Sequence, residues 1–80
     1  MKFTSLQIAK LLQGKLEGDK SVELNTFSKI EDAEPNSLSF LANSKYESYI
    51  YNTKASVVLV NNDFVPKQSL PKNLTLIKVI

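Results

Sequence analysis

The residue types best suited to hold a ligand are concentrated in Ser37–Tyr51, which contains four of the seven aromatic residues of the chain. Phe40 ends a predicted strand, Asn43 lies in the following turn, and Tyr46 falls in the first turn of a predicted helix. Two rings facing each other across such a turn can hold a flat ligand, and stacking contributes about 1–3 kcal/mol per base. The Asn43 amide offers one acceptor and two donors, which suit the imide edge of a pyrimidine. For Phe40 the pattern alone favours core packing, because this residue alternates with Leu38, and a binding site is the alternative.

The composition limits what else the chain could do. It has no His and no Cys, so the commonest general base, the commonest metal ligand and any thiol nucleophile are absent. All ten basic residues are Lys, they are spread along the chain, and the net charge is only +2. Without Arg or a basic stripe, a nucleic-acid interface is not expected. We therefore predict a binding domain that uses no metal or other cofactor and is not catalytic by itself.

Charged side chains near the candidate site have two interpretations. Lys45 and Lys54 could contact a diphosphate as point charges, although surface solubility is the simpler explanation for each. Glu31, Asp32 and Glu34 form an acidic cluster, and a solvated loop accounts for it without any chemistry.

Capping patterns predict two helices. Thr4 and Gln7 have the spacing of a capping box, which predicts a first helix over about Ser5–Gln13, with Gly14 as a left-handed C-cap. A second capping-box pattern, Ser44 with Glu47, predicts a helix from about residue 45 to residue 52.

Strand patterns account for most of the remaining chain, over Lys15–Glu17, Val22–Leu24, Ser37–Leu41, Ala55–Val60 and Leu74–Ile80. The continuous apolar run at Ala55–Val60 predicts a strand buried on both faces. Strand, helix and strand in succession over residues 37–60 predict a βαβ unit with parallel strands. Between these elements, Phe27 and Ile30 are expected to anchor an irregular connection, and residues 34–36 to form a turn around Pro35. The predicted fold class is α/β, a small single domain with a mixed sheet and two main helices.

The chain length and hydropathy bound its organisation. Eighty residues suffice for one domain, 1–80, and no apolar run is long enough to cross a membrane. Without a secretory h-region, a cytoplasmic location is the default expectation. Because the sequence stops within an apolar strand at Ile80, we expect it to be a domain of a longer polypeptide.

Several segments resemble one enzyme family. They are Phe3–Gly14, Leu16–Asp19, Ser28–Glu31, Leu38–Tyr46, Tyr49–Tyr51 and Thr53–Val58, of which the Leu-Ser-Phe-Leu-Ala-Asn-Ser-Lys-Tyr block at residues 38–46 is the most specific. Together they are similar to the N-terminal domain of UDP-3-O-acylglucosamine N-acyltransferase, over nearly the whole chain.

The resemblance implies a fold like the uridine-binding first domain of Mur ligases, with uracil held between Phe40 and Tyr46 and with Asn43 beside it. It also implies a UDP-acylglucosamine substrate, an acyl carrier protein as donor, a role in lipid A synthesis, and a homotrimer. Family catalysis uses a histidine in a left-handed β-helix that this chain does not contain. The alternatives are a packing or assembly module without a ligand, and the first domain of a Mur-type ligase.

Overall fold

A mixed β-sheet organises the chain. The computed structural model describes residues 2–41 and 43–79, and for Ser44 the backbone only. The strands are β1 (Phe3–Thr4), β2 (Lys15–Glu17), β3 (Glu23–Leu24), β4 (Thr26–Phe27), β5 (Ser37–Phe40), β6 (Val57–Asn61) and β7 (Thr75–Val79). The α-helices are α1 (Ser5–Leu12) and α2 (Glu47–Ile50), and 3-10 turns cover Ile30–Asp32 and Ser44–Tyr46.

The sheet confirms the predicted α/β fold class. Five strands lie in the order β2, β7, β6, β5, β4, while β1 and β3 form a separate antiparallel pair. Strands β4 to β7 are parallel to their neighbours, and β2 runs antiparallel to β7. The predicted parallel pairing within the βαβ unit is therefore confirmed, and all four parallel strands end at the same edge of the sheet.

Strand β6 is buried on both faces, as its apolar run predicts, although it begins at Val57 instead of Ala55. Alternate residues point to opposite faces. On one face Val58 and Val60 pack in a cluster with Ile30 and Ile50, and on the other Val57 packs in a cluster that includes residues of α1. The sheet is thus covered on one side by α1, and on the other by α2 and the 3-10 turn at residues 30–32.

The first helix confirms its predicted N-terminus and corrects its predicted C-terminus. The Gln7 backbone N–H donates to Thr4 Oγ1, and the Thr4 N–H donates to Gln7 Oε1, which completes the capping box. The left-handed residue is Gln13, with φ of 54°, so the prediction for Gly14 is wrong. A Cβ on Gly14 would lie 2.7 Å from Cγ2 of Ile77. A glycine is needed at position 14 because β7 approaches its backbone closely, and not because the residue has a positive φ.

The second helix is shorter than predicted. Its α-helical part begins at Glu47, after the 3-10 turn at residues 44–46, and ends at Ile50. The carboxylate of Glu47, one half of the predicted capping box, accepts a hydrogen bond from the Tyr51 hydroxyl at 2.7 Å. The side chain of Ser44, the other half of that prediction, lies outside the described residues, as does Ile80 at the end of the last predicted strand.

Candidate functional site

One cleft brings together the three residues that the sequence singles out. Phe40, Asn43 and Tyr46 line an open cleft of about 270 Å³ beyond the carboxyl ends of β4 and β5. The described residues that line the rest of it are Lys29, Ile30 and Glu31. Ligands of parallel α/β sheets commonly bind at this end, where the loops after the strands present side chains.

Phe40 projects from the last residue of β5 and is 58% exposed, whereas Leu38, two residues earlier, is buried. The sheet register explains the difference. Strand β4 pairs with β5 through Thr26, opposite Ser37, and through Phe27, opposite Leu38, and β4 ends there. At the level of Phe40 the neighbouring chain has already turned away into a 3-10 turn. The interpretation of Phe40 as core is therefore wrong.

Tyr46 is placed by a tight turn that begins at Asn43. The Asn43 carbonyl accepts from the Tyr46 backbone N–H at 2.9 Å, and Asn43 Oδ1 accepts from the Lys45 N–H at 3.0 Å. The Tyr46 ring is 37% exposed. It packs against Tyr49, with ring centroids 6.1 Å apart at an angle of 33°. The predicted face shared by Tyr46, Tyr49 and Ile50 thus contains one buried anchor, Ile50, and two exposed rings.

The opposite wall of the cleft is fixed by buried polar contacts. Ser39 is buried, and its hydroxyl donates to the Ser28 carbonyl at 2.8 Å. The Ser28 N–H donates in turn to the Leu38 carbonyl at 3.1 Å. These bonds hold the chain that enters the 3-10 turn, and the buried Ile30 then fastens that turn to the core. Ile30 confirms its predicted anchoring role, but Phe27, at 72% exposure, does not.

No pattern in the sequence indicates that Lys29 and Glu31 line this cleft. A single 3-10 turn has no extended periodicity that a pattern could reveal. Glu31 is exposed, as a solvated acidic loop predicts, yet it also faces the aromatic cleft. The only sequence signal for this wall was the resemblance of Ser28–Glu31 to the acyltransferase family.

The two lysines near the site occupy different positions. Lys45 Nζ lies 5.7 Å from the Tyr46 ring centroid, within the range of a cation–π contact. Lys54 does not line the aromatic cleft. It lines an adjacent cleft of about 300 Å³ together with Tyr49 and the acidic residues at positions 31, 32 and 34.

A hydrogen-bonded tyrosine fastens α2 to the long β6–β7 connection. The Tyr51 hydroxyl donates to Glu47 and accepts from the Lys67 backbone N–H at 2.9 Å. The Lys67 N–H lowers the pKa of Tyr51, but desolvation and the Glu47 carboxylate outweigh it, so the pKa lies above its ordinary value. This contact steadies the helix that carries Tyr49.

The cleft presents groups that are suited to binding. It is lined by two aromatic residues, an amide and two charged residues, whereas the sequence has neither His nor Cys. Across residues 2–41 and 43–79, no group of three or more acidic side chains is arranged to hold a metal ion. No helix in the described part of the chain has both the length and the hydropathy to cross a membrane.

The sheet and the cleft define a small α/β domain with exposed aromatic rings beyond the carboxyl ends of its parallel strands. Residues 21–79 match the family model of UDP-3-O-(3-hydroxymyristoyl) glucosamine N-acyltransferase, LpxD. The chain belongs to this family. Family membership also separates it from the Mur-type ligases that the sequence left as an alternative.

Three relatives illustrate the similarity, each named UDP-3-O-acylglucosamine N-acyltransferase. The proteins of Bacteroides thetaiotaomicron, Christiangramia forsetii and Porphyromonas gingivalis are 49%, 52% and 51% identical over 79 residues, which is 99% of this chain. Those residues make up only 22%, 23% and 22% of the respective relatives. The chain thus spans less than a quarter of the length of the proteins it matches.

Proposed function

We propose that the aromatic cleft binds the uracil ring of a UDP-sugar. In this proposal Phe40 and Tyr46 stack on the two faces of the ring, and Asn43 hydrogen-bonds its edge. The observation that carries it is the exposure of both rings around one cleft. Large apolar side chains that a fold leaves uncovered and facing a cleft favour a ligand role over a packing role.

The family relationship supplies the substrate class. The names of the relatives indicate a UDP-linked acylglucosamine and transfer to its nitrogen. We propose that residues 1–80 form an N-terminal domain that holds the UDP end of this substrate in lipid A synthesis. Its fold would then correspond to the uridine-binding first domain of Mur ligases.

The chemical step is assigned, in this proposal, to another part of a longer protein. Acyl transfer to an amine needs a general base, and a chain without His lacks the commonest one. The resemblance provides a histidine in a left-handed β-helix, a homotrimer and an acyl carrier protein as donor. The role of the present residues is to hold the distant end of the substrate, so that binding energy positions the amine.

Titration with UDP tests the proposal directly. We expect backbone amide shifts in a ¹⁵N-labelled sample to concentrate at residues 40, 43 and 46. Inorganic pyrophosphate is the control, since it supplies the diphosphate charge without a base and should leave these amides unmoved. Saturating UDP without shifts in this segment would contradict the proposal.

A further inference from the structure

The backbone that carries Tyr46 does not by itself fix the orientation of the Tyr46 ring. The Tyr46 N–H donates to the Asn43 carbonyl, but the side chain can still rotate about its two χ angles. Although Tyr46 occupies the N-cap position of α2, its side chain makes no capping hydrogen bond within the described part of the chain. An exposed ring of this kind loses rotational freedom when it stacks on a ligand, and that loss weakens binding.

Tyr49 provides a contact that restricts this freedom before any ligand binds. It lies three residues after Tyr46, a spacing that brings two side chains together on one side of a helical turn. The ring centroids are 6.1 Å apart and the planes are tilted by 33°, within the range of favourable aromatic pairs. Lys45 Nζ also lies 5.7 Å from the Tyr46 centroid, but it ends a long flexible side chain and is a poorer support.

Tyr49 is itself held by groups that lie outside the aromatic cleft. It precedes Ile50, which is fully buried, and Tyr51 fastens α2 to the β6–β7 connection through hydrogen bonds to Glu47 and to the Lys67 N–H. A residue anchored in this way can support a more mobile neighbour. Its ring lines the adjacent cleft and is not among the described side chains around the aromatic cleft.

We propose that Tyr49 is a positioning residue for the uridine site. Its ring holds the Tyr46 ring in the orientation that stacks on the base, and it does so without contacting the ligand. The support reduces the rotational freedom that Tyr46 would otherwise lose on binding, which is preorganisation of the site. This inference rests on the proposed uridine-binding function.

The test compares Tyr49→Ala with Tyr49→Phe in UDP binding. Tyr49→Ala removes the supporting ring, and we expect it to bind UDP about two- to tenfold more weakly, because stacking must then order a freely rotating side chain. Tyr49→Phe keeps the ring and should bind UDP as well as the unmodified protein. Ser48→Ala changes an exposed residue of the same helix and is the matched control, with an unchanged UDP affinity.

A second measurement follows the Tyr46 side chain directly and needs no ligand. Three-bond couplings to the Cβ protons of Tyr46 show whether its χ1 angle occupies one rotamer or averages over several. The unmodified protein and Tyr49→Phe should show one dominant rotamer, whereas Tyr49→Ala should show averaging. If Tyr49 only packed α2 against the domain, its truncation would shift the amides of the helix and leave the Tyr46 couplings unchanged.

Tyr49→Ala should remain folded, because Tyr49 is 44% exposed and Ala is favoured in helices. Amide spectra recorded without ligand check this for each variant. Equal UDP affinity in Tyr49→Ala and Ser48→Ala, or a single Tyr46 rotamer in Tyr49→Ala, would overturn the positioning role. A Tyr49→Phe protein that binds as weakly as Tyr49→Ala would assign the effect to the hydroxyl and would overturn it too.

The positioning role and the uridine site fail differently. If UDP shifts the amides of the aromatic cleft but Tyr49→Ala binds UDP normally, only the Tyr49 assignment falls. If UDP produces no shifts there in the unmodified protein, the uridine site itself falls. The Tyr46 couplings then still show whether Tyr49 holds the ring, because that measurement is made on the free protein.

Discussion

The substitution Phe40→Ala distinguishes between two roles of Phe40, that of a ligand-contacting residue and that of a core residue. An aromatic side chain buries about 150–250 Å² when fully enclosed, so Phe40, at 58% exposure, has about 60–100 Å² against the protein. At about 25 cal/mol per Å², that contact contributes about 1.5–2.5 kcal/mol. Because Ala keeps the Cβ, Phe40→Ala should cost about 1–2 kcal/mol, compared with about 3–5 kcal/mol for a buried Phe. The variant is expected to remain folded.

The same substitution should have a larger effect on binding. Stacking on one aromatic face contributes about 1–3 kcal/mol, so Phe40→Ala should weaken UDP binding by about 5- to 150-fold. Phe27→Ala is the matched control. Phe27 is also an exposed aromatic residue, at 72% exposure. It lies on the edge strand β4 and lines a different cleft. Its truncation should leave the UDP affinity unchanged.

Thermal denaturation and an amide-detected titration measure the two quantities on the same samples. A Phe40→Ala protein that unfolds, with Phe27→Ala intact, would refute the assignment of Phe40 as an uncovered ring. A folded Phe40→Ala protein that binds UDP as well as Phe27→Ala does would refute its stacking role. Only a folded protein with selectively weakened binding agrees with the structure and the proposal together.

Two further predictions concern stability. Gly14→Ala places a Cβ 2.7 Å from Ile77 Cγ2 and should destabilise the fold by about 1–3 kcal/mol. Gln13→Gly should be neutral or stabilising, because Gln13 has a φ of 54°. Equal melting temperatures for Gly14→Ala and the unmodified protein would contradict the close contact. The Ser21 hydroxyl and its backbone N–H donate to the Asp19 carboxylate and lower its pKa below the ordinary 3.8. A carboxylate whose pKa is lowered in the folded state stabilises the fold fully at a pH above its unfolded-state pKa. This stabilisation is lost as the pH falls through the folded-state pKa. Asp19→Asn should therefore lose less stability on acidification than the unmodified protein. If the melting temperatures of the two proteins fall equally from about pH 5 to about pH 2, the contact does not stabilise the fold.

Strand β6 shows what local sequence can establish. A run of β-branched residues gives the same prediction whichever neighbours cover it, because both faces must be buried. The parallel pairing of β5 with β6 followed from an intervening helix, since a short hairpin cannot connect parallel strands. These predictions needed no knowledge of the register or of distant residues.

Other features depended on distant parts of the chain. Gly14 is required by the approach of Ile77, more than sixty residues later, and no helix-capping pattern contains that information. Phe40 alternates with Leu38 and looks like core until the register shows that β4 ends opposite Leu38. The position of Glu31 in the cleft likewise depends on a 3-10 turn and on the buried Ile30. Each case was decided by tertiary contacts that leave no periodic signal.

The openness of the cleft bears on how such a domain would be used. Two stacking contacts of about 1–3 kcal/mol each, with about 1 kcal/mol from a net hydrogen bond, amount to about 3–7 kcal/mol. A free energy of about 4 kcal/mol corresponds to a millimolar dissociation constant, so the base alone should bind weakly and exchange rapidly. Weak binding at one end suits a long substrate that gains further contacts elsewhere, because too firm a hold would slow product release. In the proposed function, selectivity for uracil therefore matters more than affinity, and the Asn43 amide would contribute to that selectivity.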